Sequence, residues 1–152
     1  MYYSDIFRNF EKNKIAYAVV GALASSLHGV VRGSLDLDIA VRFEAENLQK
    51  VESSLEELGY TSAIPVSATE IFNFRQQFIE KRNLLNWTFT HNSDATKQVD
   101  IIITHDLKDM SFRKLKTKMG IVPLISKKDL ISMKRAAARP QDLEDIRALE
   151  KL

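Results

Sequence analysis

Apolar residues recur at helical spacing over residues 4–14, where Ile6, Phe7 and Phe10 form one stripe and Ser4 is placed to cap the N-terminus. Ile15 to Val20 is a continuous apolar and aromatic run that predicts a buried strand. Gly21 then opens a small-residue segment, Ala22-Leu23-Ala24-Ser25-Ser26-Leu27, ending at Gly29, which predicts a helix packed closely on that strand. The period changes to two over Leu35 to Arg42, a second strand. It returns to 3.6 over residues 45–58, with Leu48, Val51, Leu55 and Leu58 as the stripe and Gly59 as the stop. Ala68 to Asn83 reads as a less regular helix; Leu85 to Thr90, Val99 to Thr104 and Ile121 to Ile125 read as strands. Ser126-Lys127-Lys128-Asp129 resembles a capping box and predicts a helix to about Ala138. Arg139-Pro140 interrupts it, because the residue before proline is pushed out of the helical region. A last helix is expected from Gln141 to Leu152. This order predicts an α+β (mixed α/β) fold rather than a helical bundle: a small mixed sheet flanked by helices, closed by a C-terminal helical pair.

The 152 residues suit a single domain, with its core over about 15–125 and the C-terminal helices over 126–152. At 45% hydrophobic and 28% charged residues the chain has the composition of a folded globular protein, which sets intrinsic disorder aside. The net charge of +2 does not by itself select a nucleic-acid partner. The absence of cysteine excludes a disulfide scaffold or a thiolate metal site and suits a reducing cytoplasm. No apolar run approaches the roughly 18 residues of a membrane span, and the start Met1-Tyr2-Tyr3-Ser4-Asp5 has no signal-peptide pattern. A cytoplasmic protein is therefore expected.

Chemistry concentrates in Leu35-Asp36-Leu37-Asp38-Ile39-Ala40-Val41. Alternation puts the aliphatic residues on one face and Asp36, Asp38 and Ala40 on the other, with the two carboxylates roughly 7 Å apart. Aspartate is disfavoured in strands, and like charges on one face repel, so a divalent cation is the simplest partner. An exposed edge strand is the structural alternative. Asp100 is the sole charge in the apolar run Val99–Ile103, and if that strand pairs beside the first it would bring a third carboxylate to the same point. Three carboxylates suit a hard, oxygen-liganded ion such as Mg²⁺. The strand-to-helix turn at Gly21-Ala22 offers backbone N–H groups to a phosphate, or is a simple packing turn.

Together, Gly21-Ala22, Asp36-x-Asp38 fifteen residues on, and Asp100 resemble the nucleotidyltransferase superfamily of the DNA polymerase β type. The lead-in Arg32-x-Ser34-x-Asp36 and the tail Ser126–Leu130, Lys134, Arg139, Asp142 and Asp145 resemble its small bacterial branch that includes AbiEii-like toxin proteins. The resemblance covers about 15–42 and 98–150 and leaves 60–97 unmatched. Ala22 departs from the family's Gly or Ser at the second turn position, where Ser25 one helical turn on is the substitute hydroxyl. The resemblance implies transfer of a nucleoside monophosphate from an NTP to an acceptor hydroxyl, with pyrophosphate released. It implies two Mg²⁺ ions held by Asp36, Asp38 and Asp100, with Asp100 assisting deprotonation of the acceptor. Gly21, Ala22 and Ser25 would face the triphosphate, and Lys134 would meet a phosphate or remain a solvated helix lysine.

Arg32 is expected to contact phosphate or pair with Asp36, and Asp142 and Asp145 to be helix N-terminal acids favoured by the dipole, or else part of the site. His28, His91 and His105 have no metal-ligand spacing and are expected to be non-catalytic. The acceptor is left open between RNA (a tRNA end in particular), a protein and a small hydroxylated molecule. Arg113, Lys114, Lys116, Lys118, Lys127 and Lys128 would suit RNA phosphates or form a solvated face. An antibiotic-modifying enzyme is one alternative. A catalytically degenerate member of a toxin–antitoxin pair, binding a cognate partner, is the other.

Overall fold

The structure is a computed structural model that describes residues 3–33 and 36–152. Met1, Tyr2, Ser34 and Leu35, and with them the N-terminal pattern and the first residue of the predicted second strand, lie outside the described residues. The chain runs α1 (Tyr3–Lys12), β1 (Tyr17–Val20), α2 (Gly21–Leu27), β2 (Leu37–Val41), α3 (Ala45–Glu57), β3 (Tyr60–Ser62) and α4 (Ala68–Arg82). It continues with β4 (Asn86–His91), β5 (Gln98–Ile102), a 3-10 turn at Leu107–Asp109, β6 (Phe112–Thr117), β7 (Gly120–Ile125), α5 (Lys127–Ala137) and α6 (Pro140–Glu150).

The strands form one sheet in the order β3-β4-β5-β2-β1-β7-β6. It is mixed: β2 runs parallel to β5 and β1 parallel to β7, while β1–β2, β3–β4, β4–β5 and β6–β7 are antiparallel. Alternation divides each central strand as the sequence pattern requires. Leu37, Ile39 and Val41 share a face with Tyr17, Val19, Trp87, Phe89, Val99 and Ile101, all of them buried. The stripe of α1 closes this face, with the Phe7 and Phe10 rings 6.3 and 5.0 Å from the Tyr17 ring. Leu48, Val51 and Leu55 of α3 join the same core.

The opposite face is narrower and more polar. Ala18 and Ala40 are fully buried there, and their small side chains let α2 lie close over β1 and β2. Beyond α2, the face carries Asp38, Asp100 and Thr88 in neighbouring register positions.

Several boundaries differ from expectation for identifiable reasons. Ser4 lies inside α1 rather than at its cap. The irregular periodicity of 68–83 reflects a kink at Phe74 (φ −121°, ψ 21°), and a capping box of Ser67 and Glu70 starts that helix. β3 escapes a pattern search because only Tyr60 of its three residues is buried. β6 is hidden by its charges: Arg113, Lys114 and Lys116, grouped above as a basic cluster, are exposed side chains of an edge strand. Lysines on an edge discourage strand addition by a second chain. At the C-terminus, Ser126 caps α5 by accepting from the Asp129 N–H, and Pro140 is the first residue of α6. No helix among the described residues is long and apolar enough to cross a membrane.

Candidate active site

Asp38 sits at the centre of the sheet. Its register partner on β1 is Val20 and its register partner on β5 is Asp100, so two carboxylates stand side by side on one face. Asp100 is 7% exposed and accepts a hydrogen bond from Thr88 Oγ1 at 2.6 Å, Thr88 being its register partner on β4. Burial pushes the Asp38 carboxyl up to about 7, reinforced by the charges of Asp100 and Asp36 and a hydrogen bond with Asp100, while Lys134 pulls the other way. The Asp36 carboxyl is also raised, by partial burial and then by Asp100. Asp36 is an exposed residue of the bend before β2, so it reaches the site from outside the strand. The three predicted carboxylates therefore come to one place and crowd one another.

Gly21 faces this cluster directly. Its φ of +68° lies in the left-handed region, and a Cβ built on it would fall 2.1 Å from Asp38 Oδ2. Both features require glycine: the turn has a conformation that a side chain disfavours, and the backbone approaches the carboxylate more closely than a side chain allows. Ala22 follows as a half-buried residue of α2, whose N-terminus has no side-chain cap. Ser25 is fully buried, and its hydroxyl donates to the Gly21 carbonyl at 3.4 Å. The expected exposure of this hydroxyl to a ligand is corrected by its complete burial.

Lys134 is neither a solvated lysine nor an open phosphate ligand. It is 5% exposed and donates to Asp145 Oδ2 at 2.9 Å, with Asp142 Oδ1 at 3.9 Å. Arg32 pairs with Asp145 rather than with Asp36, and Gln141 donates to the other Asp145 oxygen at 3.2 Å. Asp142 accepts from Arg139 N and Nε at 3.1 and 2.7 Å. Burial would raise the Asp142 carboxyl, but the Arg139 bonds and charge outweigh it and hold it below the ordinary range. Asp142 and Asp145, expected as helix N-terminal acids or site residues, are 2% exposed and hold three cations, Lys134, Arg139 and Arg32, at the joint of α5 and α6. With three cations to two carboxylates, the joint carries one excess positive charge, and both Lys134 and Arg139 act electrostatically on Asp38.

The histidines stay outside the cluster. The His28 ring meets the Ile125 carbonyl, His91 packs edge-on to Tyr60, and His105 bonds Thr104. A cavity of about 330 Å³ opens among Arg75, His105, Asp106, Lys108 and Met133, and none of the three carboxylates lines it.

Sequence reasoning missed Thr88, Gln98 and the role of Asp145. Thr88 becomes relevant only through strand register, and Asp145 only through helix packing. Gln98, two residues before Asp100 on the same strand, was within reach of the alternation argument.

The donor set suits a hard cation, because every group offered is a carboxylate oxygen and the side chains repel one another. Among the described residues no three His, Asp or Glu side chains are gathered into a ready ligand cage, so any ion would draw the carboxylates together or share them with phosphate oxygens.

Solved structures share this architecture. The lincosamide antibiotic adenylyltransferase LnuA, in its lincomycin-bound form, is 21% identical with a TM-score of 0.62, over 95% of this chain and 92% of its own. A putative nucleotidyltransferase from Thermotoga maritima is 17% identical with a TM-score of 0.56, over 98% of this chain and 92% of its own. ANT(2'')-Ia, in complex with adenylyl-2''-tobramycin, is 12% identical with a TM-score of 0.62, over 95% of this chain and 83% of its own. No protein-family model and no curated protein matches the chain. Among the described residues, the seven-stranded mixed sheet and the six helices match the nucleotidyltransferase-like fold that the sequence resemblance implied.

Proposed function

We propose that the chain is a Mg²⁺-dependent nucleotidyltransferase that moves a nucleoside monophosphate from an NTP to a hydroxyl of a small acceptor. The observation that carries this reading is the register pairing of Asp38 with Asp100 directly beneath the Gly21 turn. Asp36, Asp38 and Asp100 would hold the metal, which when bound neutralises triphosphate charge and lowers the pKa of the acceptor hydroxyl. The α2 turn at Gly21 and Ala22 lies beside the carboxylates and would place its backbone against the triphosphate; the buried Ser25 takes no part. The acceptor oxygen bonds to the α-phosphorus, the bond from that phosphorus to the β-phosphate bridging oxygen breaks, and pyrophosphate leaves with the electron pair. Asp100, fixed by Thr88, takes the hydroxyl proton. Lys134 and Arg139 add positive potential behind Asp38 and favour its ionised form.

A small hydroxylated acceptor is supported by the surface next to the carboxylates. Asn86, Thr88 and Thr90 alternate onto the Asp100 face of β4 and are all partly exposed, giving a neutral floor of hydroxyl and amide groups. The similar proteins carry lincomycin and adenylyl-tobramycin. The basic residues considered for RNA include Arg113, Lys114 and Lys116 on β6, three strands away from β2. Pyrophosphate release from each of the four NTPs, with Mg²⁺ and with lincosamide, aminoglycoside and tRNA acceptors, tests the reading. Release with a small acceptor that disappears in Asp38→Asn is expected. No release with any combination would contradict the assignment, and release with tRNA alone would overturn the acceptor.

A further inference from the structure

Gln98 opens β5, two residues before Asp100, so its side chain emerges on the carboxylate face. Its Nε2 lies 3.4 Å from Asp36 Oδ2 and 3.4 and 3.3 Å from Asp100 Oδ1 and Oδ2. An amide nitrogen carries two hydrogens, so one Gln98 side chain can donate to both carboxylates at once. The two acids otherwise repel each other, and the bridging donor brings partial positive charge to the point between them. That is also the point at which a divalent cation would contact both. The anchors on the two sides are unequal. Asp100 is buried and tied to Thr88 at 2.6 Å, whereas Asp36 sits on an exposed bend.

We propose that Gln98 is a positioning residue that stands in for the cation, bridging Asp36 to Asp100 until a divalent ion displaces its amide. This rests on the nucleotidyltransferase reading only for the identity of the ion. Gln98 sets how readily the site loads: its amide competes with the incoming cation for oxygens of both acids. Thr88 plays the opposite part, because it orients Asp100 from the far side and does not occupy the space between the acids.

The test is thermal unfolding of the whole chain titrated with MgCl₂ alone, for the wild type, Gln98→Ala and Thr88→Val. Without Mg²⁺, Gln98→Ala should unfold at a lower temperature, since the two carboxylates lose their bridge. Its half-saturating Mg²⁺ concentration should fall about five-fold, the equivalent of ~1 kcal/mol for one competing hydrogen-bond donor. Thr88→Val should instead raise that concentration. Gln98→Glu is the second variant: a further carboxylate in the same place should lower stability without Mg²⁺ and lower the half-saturating concentration as well.

A wild type that responds to Mg²⁺ and a Gln98→Ala variant that needs as much Mg²⁺ or more would overturn the inference and leave the functional reading standing. Absence of any Mg²⁺ response in all four proteins would overturn both. A response confined to the Gln98 variants would support the inference, with Gln98 blocking the ion in the wild type.

Discussion

Replacing Gly21 by alanine places a methyl carbon 2.1 Å from Asp38 Oδ2 and 2.8 Å from its Cβ and Cγ. The Cβ contact is with the root of the side chain, on a strand paired to β1 and β5, so rotating the carboxylate does not relieve it. The left-handed backbone of Gly21 costs alanine about 1–2 kcal/mol, and overpacking against a fixed neighbour adds about 1–3 kcal/mol. A total near 3 kcal/mol corresponds to a fall in Tm of roughly 6–12 °C for a domain of this size. The variant should also lose its Mg²⁺-dependent response to nucleotide, because any relaxation moves Asp38. Gly120→Ala separates the two causes. Gly120 also has positive φ, +104°, but nothing lies within 4 Å of its added Cβ, so that variant should lose stability while keeping the nucleotide response. The assay is thermal unfolding of all three proteins with and without nucleotide and Mg²⁺. A Gly21→Ala protein within about 2 °C of wild type that still binds nucleotide would refute the close approach of turn and carboxylate, given the 2–4 °C expected per kcal/mol.

Other consequences follow from the buried charges. The folded Asp38 pKa of about 7 lies above its unfolded value, so the native state binds more protons and stability falls as pH rises from about 4 to 7. Urea midpoints measured across that range should decline in the wild type and less in Asp38→Asn, which should also be the more stable protein at pH 8 without Mg²⁺; equal slopes would contradict the raised pKa. Lys134→Met leaves Asp142 and Asp145 buried with one cation fewer and should cost about 3 kcal/mol, the lower end for a broken buried pair because Arg32 remains on Asp145. Chemical denaturation reads that loss, and adding Asp145→Leu should recover part of it; a midpoint unchanged from wild type would refute the pairing. The Tyr17 hydroxyl is buried with no hydrogen-bond partner among the described residues, so Tyr17→Phe should leave the unfolding temperature unchanged or raise it.

The chemistry-bearing strands were legible because alternation is local. Leu37, Ile39 and Val41 announce the buried face of β2, and Asp100 stands out in an apolar run, so their meeting required only that β2 and β5 be neighbours. The turn at Gly21 was legible for the same reason, although nothing in the sequence says that Asp38 rather than a ligand excludes a side chain there. The joint of α5 and α6 was misjudged because burial of a charged residue is a tertiary property. Lys134, Asp142 and Asp145 have the spacing of ordinary helix surface charges, and only the packing of the two helices together with Arg32 turns them inward. The burial of Ser25 is likewise a tertiary property that the sequence of a short helix does not display. β6 was hidden because the charges that protect a sheet edge read, in one dimension, as a patch for an anionic partner.

We propose that Asp36, Asp38 and Asp100 form a metal-dependent nucleotide site. Unfolding temperatures with ATP, GTP, CTP and UTP, each with and without Mg²⁺, test it most directly. A ligand at 100 times its Kd stabilises the native state by about 2.7 kcal/mol, or roughly 5–11 °C here. Such a shift is expected for at least one nucleotide, dependent on Mg²⁺ and absent in Asp38→Asn. No shift with any nucleotide, or a shift that Asp38→Asn retains in full, would contradict it.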